Sequence, residues 1–136
     1  MTLIADASVL HAADRIGTEP GAAGSVDAGW SRICPVTALH PERGVAAMLD
    51  GQQVAVFLLH DGTVRAVQQT DPFASANVMS RGLVGTWRGR PSVASPMYKH
   101  VFDLESGACL DAKGDEPRSL RAYRTRVVDG VVEAAA

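Results

Sequence analysis

The sequence has 136 residues, the size of one ordinary domain, and 46% of them are hydrophobic, so a compact core is available. Its 13 basic side chains against 15 acidic ones leave a formal charge of −2, which supplies no field able to hold nucleic acid or an anionic membrane surface. No apolar run approaches the roughly 18 residues of a membrane-spanning helix, and the start Met1-Thr2-Leu3-Ile4 lacks the basic segment of a secretory signal, so a cytoplasmic location is expected.

Residues 1–28 read as a flexible tail and residues 29–136 as the folded domain. The stretch Gly17-Thr18-Glu19-Pro20-Gly21-Ala22-Ala23-Gly24-Ser25 is small, polar and glycine-rich, the composition of a linker. The tail is acidic, with Asp6, Asp14, Glu19 and Asp27 against Arg15. Ile4, Leu10 and Ile16 fall loosely on helical spacing, so a short helix over residues 5–16 is the one element expected there.

From Trp30 onward short strands alternate with tight turns. Trp30-Ser31-Arg32-Ile33-Cys34 alternates apolar with polar. Residues 45–49 run into Asp50-Gly51, a hairpin signal. Val54-Ala55-Val56-Phe57-Leu58-Leu59 is continuously apolar, consistent with a buried strand. Asp61-Gly62 and Asp129-Gly130 mark two further turns. Turn signals at this spacing, with few helical periods, predict an all-β domain. Aromatics are only 5% of the chain, so Val, Leu and Ala must fill most of its core. The two cysteines, Cys34 and Cys109, read as buried thiols in a reducing compartment.

Residues 68–100 differ in character. A loop, Gln69-Thr70-Asp71-Pro72-Phe73-Ala74-Ser75-Ala76-Asn77, precedes a hairpin that turns at Trp87-Arg88-Gly89-Arg90. A second loop follows, Ser95-Pro96-Met97-Tyr98-Lys99-His100. Loops placed by a rigid sheet commonly carry function.

Residues 94–111, from Ala94-Ser95-Pro96 through Val101-Phe102-Asp103 to Gly107 and Asp111, resemble the second cluster loop of Rieske proteins. That loop reads Cys-Pro-Trp-His, Gly, two further residues, then Phe-Asp and a Gly turn. Residues 66–73 resemble the first loop, where the family has Cys-x-His. The resemblance implies a Rieske-like antiparallel β-sandwich or barrel of short strands. It places Asp71 and Ser95 at the thiolate positions, and Phe73 and Tyr98 at the imidazole positions. A Rieske [2Fe–2S] centre takes two thiolates on one iron and two imidazoles on the other. Phe73 has no donor atom, and the Ser95 hydroxyl is a hard oxygen where a soft thiolate is needed. The scaffold is therefore expected without its cluster, and no metal is assigned to this chain.

Among Rieske-like proteins, the small subunit of assimilatory NAD(P)H nitrite reductase is similar in both loops. There the first loop reads Asp-Pro-Phe, small residues, Asn-Val/Met, then Ser-Arg-Gly, as in residues 71–82 here. The second reads Ala-Ser-Pro-hydrophobic-Tyr-Lys, as in residues 94–99. That resemblance implies an accessory subunit whose partner, the large subunit, carries FAD, siroheme and a [4Fe–4S] cluster. The complex reduces nitrite to ammonium for nitrate assimilation. An independent cluster-less binding or regulatory module on the same fold is the alternative.

No catalytic residue is assigned. Asp71, Ser95 and Tyr98 lack a base or oxyanion donor to complete a set, so Asp71 is expected to cap its loop while Phe73, Tyr98 and Met97 fill the cluster space. His11, His40, His60 and His100 show no metal-binding spacing. No glycine-rich phosphate loop follows a strand. No acidic residue lies between Asp71 and Asp103. Arg81, Arg88, Arg90 and Lys99, with Trp87 at the hairpin tip, are therefore expected at one pole as a docking face.

Overall fold

The computed structural model describes residues 10–11 and 29–135. Thirteen strands are assigned among them: β1 Leu10–His11, β2 Ser31–Pro35, β3 Gly44–Leu49, β4 Gln52–Leu58, β5 Val64–Gln68, β6 Thr70–Asp71, β7 Ala76–Asn77, β8 Leu83–Trp87, β9 Arg90–Ala94, β10 Val101–Asp103, β11 Cys109–Asp111, β12 Ala122–Val128 and β13 Val131–Ala135. No helix among the described residues is long and apolar enough to cross a membrane. The all-β expectation holds.

The main sheet has seven strands in the order β1-β3-β4-β5-β12-β13-β2, and it curls into a nearly closed barrel. A four-stranded sheet, β11-β10-β9-β8, packs beside it, and β6 and β7 form a separate two-stranded ribbon. Three hairpins close through two-residue turns with both residues at positive φ: Asp50-Gly51, Arg88-Gly89 and Asp129-Gly130. That geometry matches the right-handed twist of the flanking strands.

Strand β4 shows why the run Val54–Phe57 has no polar gap. Val54 and Val56 point into the barrel with Ile33, Leu49 and Val132, while Ala55 and Phe57 point the other way, onto Met79, Val93 and Phe102. Successive side chains of a strand face opposite sides, so a strand covered on both faces must be apolar throughout. The second of these cores joins the barrel to the small sheet and fixes the loops that the small sheet carries.

The tail differs from expectation where it is described. Leu10 and His11 are strand, paired in parallel with Ala47 and Met48 of β3. Backbone groups at the β3 edge thereby gain partners, which a helix at these two residues would not provide. The rest of the proposed helix over residues 5–16, and the linker sequence, lie outside the described residues. Cys34 is buried as expected, but Cys109 is half-buried.

Candidate functional site

Both loops emerge at one end of the small sheet. The first spans the β6–β7 ribbon, where Thr70 pairs with Asn77 and Asp71 with Ala76. The second connects β9 to β10, leaving at Ala94 and returning at Val101, which are themselves paired. The segment behind the first loop is locked in place. Gln69, which is buried, donates from Nε2 to Ser80 Oγ at 2.9 Å and accepts from Ser80 N at 2.7 Å. Glycines at positions 44 and 82 let the backbones meet. A Cβ on Gly44 would sit 2.2 Å from Ser80 O, and one on Gly82 would sit 2.6 Å from Ala94 O. The Ser-Arg-Gly run thus ties both loops to the barrel, a structural role that sequence similarity alone did not reveal.

Asp71 is the centre of the site. Its side chain is 0% exposed. Oδ1 accepts from the backbone N–H of Phe73 at 2.7 Å and of Ala74 at 3.2 Å. Oδ2 accepts a hydrogen bond from Ser95 Oγ, across the two loops. Ser95 Oγ in turn accepts from Met97 N at 3.1 Å. Asp71 therefore caps its own loop and ties it to the other one. The two positions where a Rieske protein has thiolates are joined here directly, oxygen to oxygen.

The imidazole positions diverge from expectation. Phe73 is half-buried, but Tyr98 is 56% exposed and Met97 is exposed as well. These two do not fill the loop interior; His100 does. It is 2% exposed and lies flat on Phe73, and Tyr98 meets it edge-on with centroids 6.2 Å apart. Alternation along the strand explains the exchange. His100 directly precedes β10, whose Phe102, two residues on and on the same side, is wholly buried. Lys99, between Tyr98 and His100, has φ 67°, at the position where the family motif has Gly, so the loop keeps the same backbone turn with a different residue.

The donor set does not suit a [2Fe–2S] centre. Asp71 and Ser95 are bonded to each other, Phe73 offers carbon only, and the Tyr98 phenol turns toward solvent. Among the described residues no group of three or more His, Cys, Asp or Glu side chains is placed to hold a metal ion.

A cleft of about 360 Å³ opens beside these rings, lined by Phe73, Tyr98, His100, Asp115, Glu116 and Arg118. The last three come from the β11–β12 connection, which the sequence did not mark. His100 Nε2 lies 2.9 Å from Asp115 Oδ2. Arg118 donates to the Pro72 carbonyl at 3.0 Å, and its guanidinium carbon lies 5.9 Å from the Phe73 ring centre.

The five residues expected on one basic pole are divided between two ends. In the β8–β9 hairpin Leu83 pairs with Ala94, next to the Ser95 loop, and Trp87 pairs with Arg90 at the other end. The separation along β9 is roughly 13 Å at about 3.3 Å per residue. Arg81 and Lys99 lie at the loop end and are exposed. Trp87 is half-buried at the far end, with the Arg88 guanidinium carbon 5.9 Å from its ring centre. Arg90 is engaged by the carboxylate of Asp103, which is 1% exposed, so its charge is already matched. The reason is the register of the hairpin, which residue order alone does not give. Three exposed apolar side chains, Leu83 at 77% together with Met97 and Tyr98, stand at the loop end.

Residues 29–135 match the family model of the Rieske-like [2Fe–2S] domain. The chain is 42% identical over 105 residues to the nitrite reductase (NADH) small subunit of Escherichia coli K12, covering 76% of this chain and 94% of that one. It is 38% identical over 103 residues to part of the nitrite reductase [NAD(P)H] large subunit of Klebsiella oxytoca, covering 76% of this chain and 10% of that protein. A crystal structure from Mycobacterium tuberculosis, assigned to the small subunit of an NADH-dependent nitrite reductase, superposes with a TM-score of 0.73 at 45% identity, covering 79% of this chain and 94% of that one.

Proposed function

This chain belongs to the Rieske-like domain family, beside the nitrite reductase small subunits, and from that premise we propose that it is the accessory small subunit of an NAD(P)H-dependent nitrite reductase. The observation that carries the reading is the match over nearly the whole E. coli small subunit. The proposed partner is a large subunit holding FAD, siroheme and a [4Fe–4S] cluster. The K. oxytoca large subunit supports the pairing, because one polypeptide there contains a stretch similar to this domain.

The chain acts by association, and the reduction of nitrite to ammonium belongs to the complex. It carries no cluster of its own, since its four ligand positions hold Asp71, Phe73, Ser95 and Tyr98, and the first and third satisfy each other. Residues 29–136 form the associating domain. Arg81 and Lys99 at the loop end, and Trp87 and Arg88 at the hairpin tip, are the candidate contacts. Arg90 serves the fold through Asp103.

The test is co-purification with a purified large subunit of this type, together with iron analysis of the isolated chain. A stable complex and no stoichiometric iron are expected. About two irons per chain with a Rieske-type spectrum, or no complex, overturns the reading.

A further inference from the structure

Strand β8 is an edge of the four-stranded sheet, with β9 as its one neighbour. In a two-residue hairpin the pair flanking the turn exchanges both hydrogen bonds, so Trp87 bonds Arg90 and, by alternation, Gly85 bonds Ser92. The N–H and C=O groups of Val84 and Thr86 therefore point away from β9, and they bond to no other element among the described residues. Other sheet edges in this fold are blunted. β1 is two residues long, β2 holds Pro35 and a register shift against β13, and β11 is three residues long beside another shift. Strand β8 has five pairs in unbroken register and contains no proline and no charge. Such an edge is a template for a further strand.

Gly85 sits in the middle of this edge, and the chain's own fold does not require it. Among the described residues every other glycine either has positive φ or would press a Cβ onto a neighbouring group. Gly85 does neither: its φ lies outside the left-handed region, and nothing stands within 4 Å of the Cβ position. A glycine inside a strand loses packing and backbone entropy, and it often marks where another backbone approaches closely. On an added antiparallel strand, the residue opposite Gly85 falls in a non-hydrogen-bonded pair, where facing Cα atoms are about 4.5 Å apart. A bulky side chain there can cross over Gly85 and lie against Leu83, which shares that face and is 77% exposed.

We infer that β8 takes up an extended segment of the nitrite reductase large subunit as an added antiparallel strand, with a large apolar or aromatic residue over Gly85. The inference rests on the accessory-subunit reading above. Charge separates this occupant from a second copy of the chain. Residues 72–102 contain Arg81, Arg88, Arg90 and Lys99 and no carboxylate. Pairing Val84 with Thr86 of a second copy would bring Arg88 of one chain beside Arg81 of the other. A segment flanked by acidic residues meets the same edge with complementary charge.

The test uses the full chain and purified large subunit, with hydrogen exchange followed at single amides, free and in the complex. Val84 and Thr86 are expected to exchange fast in the free chain and at least tenfold more slowly in the complex. Thr86→Pro removes an outward N–H and leaves the β8–β9 bonds in place, so it should weaken binding at least tenfold. Thr86→Val keeps that N–H and should bind like the wild type. Gly85→Val fits the free chain, because its Cβ meets nothing, and should weaken binding by a similar factor to Thr86→Pro. Denaturation midpoints check that each variant is folded. If the wild-type chain binds while Val84 and Thr86 still exchange fast in the complex, the strand inference fails and the accessory reading stands. If the wild-type chain does not bind, both fail together. A chain that dimerises alone in sedimentation, and loses the dimer with Thr86→Pro, would overturn the inference by placing a second copy on this edge.

Discussion

The imidazole of His100 lies flat on the phenyl ring of Phe73, with ring centres 3.6 Å apart and planes 6° from parallel. The pair joins the first loop to the strand that ends the second, and Phe102 tilts against Phe73 at 6.2 Å to extend the cluster into the core between the barrel and the small sheet. Because Phe73 is only half-buried, Phe73→Ala is expected to cost about 2 kcal/mol, below the 3–5 kcal/mol typical of fully buried rings. Chemical denaturation reads this as a lower midpoint with an unchanged slope. A midpoint equal to that of the wild type would mean that the ring stack adds nothing to stability.

Asp71 and Ser95 should differ in weight. Removing the Asp71 carboxylate strands the N–H groups of Phe73 and Ala74 and the hydroxyl of Ser95. Asp71→Ala is expected to cost about 3 kcal/mol, since leaving a buried donor unpaired costs roughly 1–3 kcal/mol. Ser95→Ala removes one bridge and should cost about 1–2 kcal/mol on the same scale. The double variant should cost less than the sum, because both single changes break the same bond. Strict additivity in the measured cycle would contradict the inter-loop bond.

Much of this fold was legible in the chain, and for identifiable reasons. The Asp-Gly turns at 50–51 and 129–130 announced two hairpins because few residues tolerate consecutive positive φ. The apolar run Val54–Phe57 announced a buried strand, which the structure covers on both faces. The loop pairing of Asp71 with Ser95 was legible only through the family resemblance, since 24 residues separate them. What stayed hidden depended on register and on distant segments. Trp87 and Lys99 fall in one stretch free of acidic residues, which put them at one pole, but β9 carries them to opposite ends. His100 looked incidental because its partners, Phe73 and Asp115, lie far away in sequence on either side.

Asp103 should set part of the acid sensitivity. Burial pushes its carboxyl up, but the Arg90 guanidinium and the backbone N–H groups of Glu105 and Ser106 outweigh this and hold it below its ordinary value. A carboxylate with a depressed folded-state pKa contributes stability that is present above its unfolded value, about 3.9, and is lost as pH falls through the folded one. Arg90→Leu removes the main opposing partner and leaves a buried carboxylate less compensated. The variant is expected to have a lower denaturation midpoint than the wild type near pH 7. The gap should narrow below about pH 4, where the unfolded-state carboxyl already takes up its proton. A gap of constant size from pH 7 to pH 2 would assign the loss to packing of the Arg90 stem instead.

The two ends of the β8–β9 hairpin make separable claims on the partner. At the loop end Arg81 and Lys99 flank exposed Leu83, Met97 and Tyr98, and neither cation is matched by an ion pair among the described residues. At the tip Trp87 is already half-covered, and its local cation Arg88 lies near its ring. A buried interface core ringed by charge is the arrangement that binds tightly, and exposed charges around it mainly speed encounter. Docking through the loop end is therefore expected. An Arg81→Ala/Lys99→Ala chain should associate several-fold more slowly with the large subunit at low salt. The difference should shrink at high salt, because exposed charges are screened beyond about 8 Å at physiological ionic strength. Leu83→Ser should instead speed dissociation at every salt concentration, since apolar contact is not screened. Trp87→Ala should leave both rates near those of the wild type. Stopped-flow or surface-binding kinetics separates the two ends. Loss of binding with Trp87→Ala alone, in a chain shown to be folded, would move the docking face to the hairpin tip.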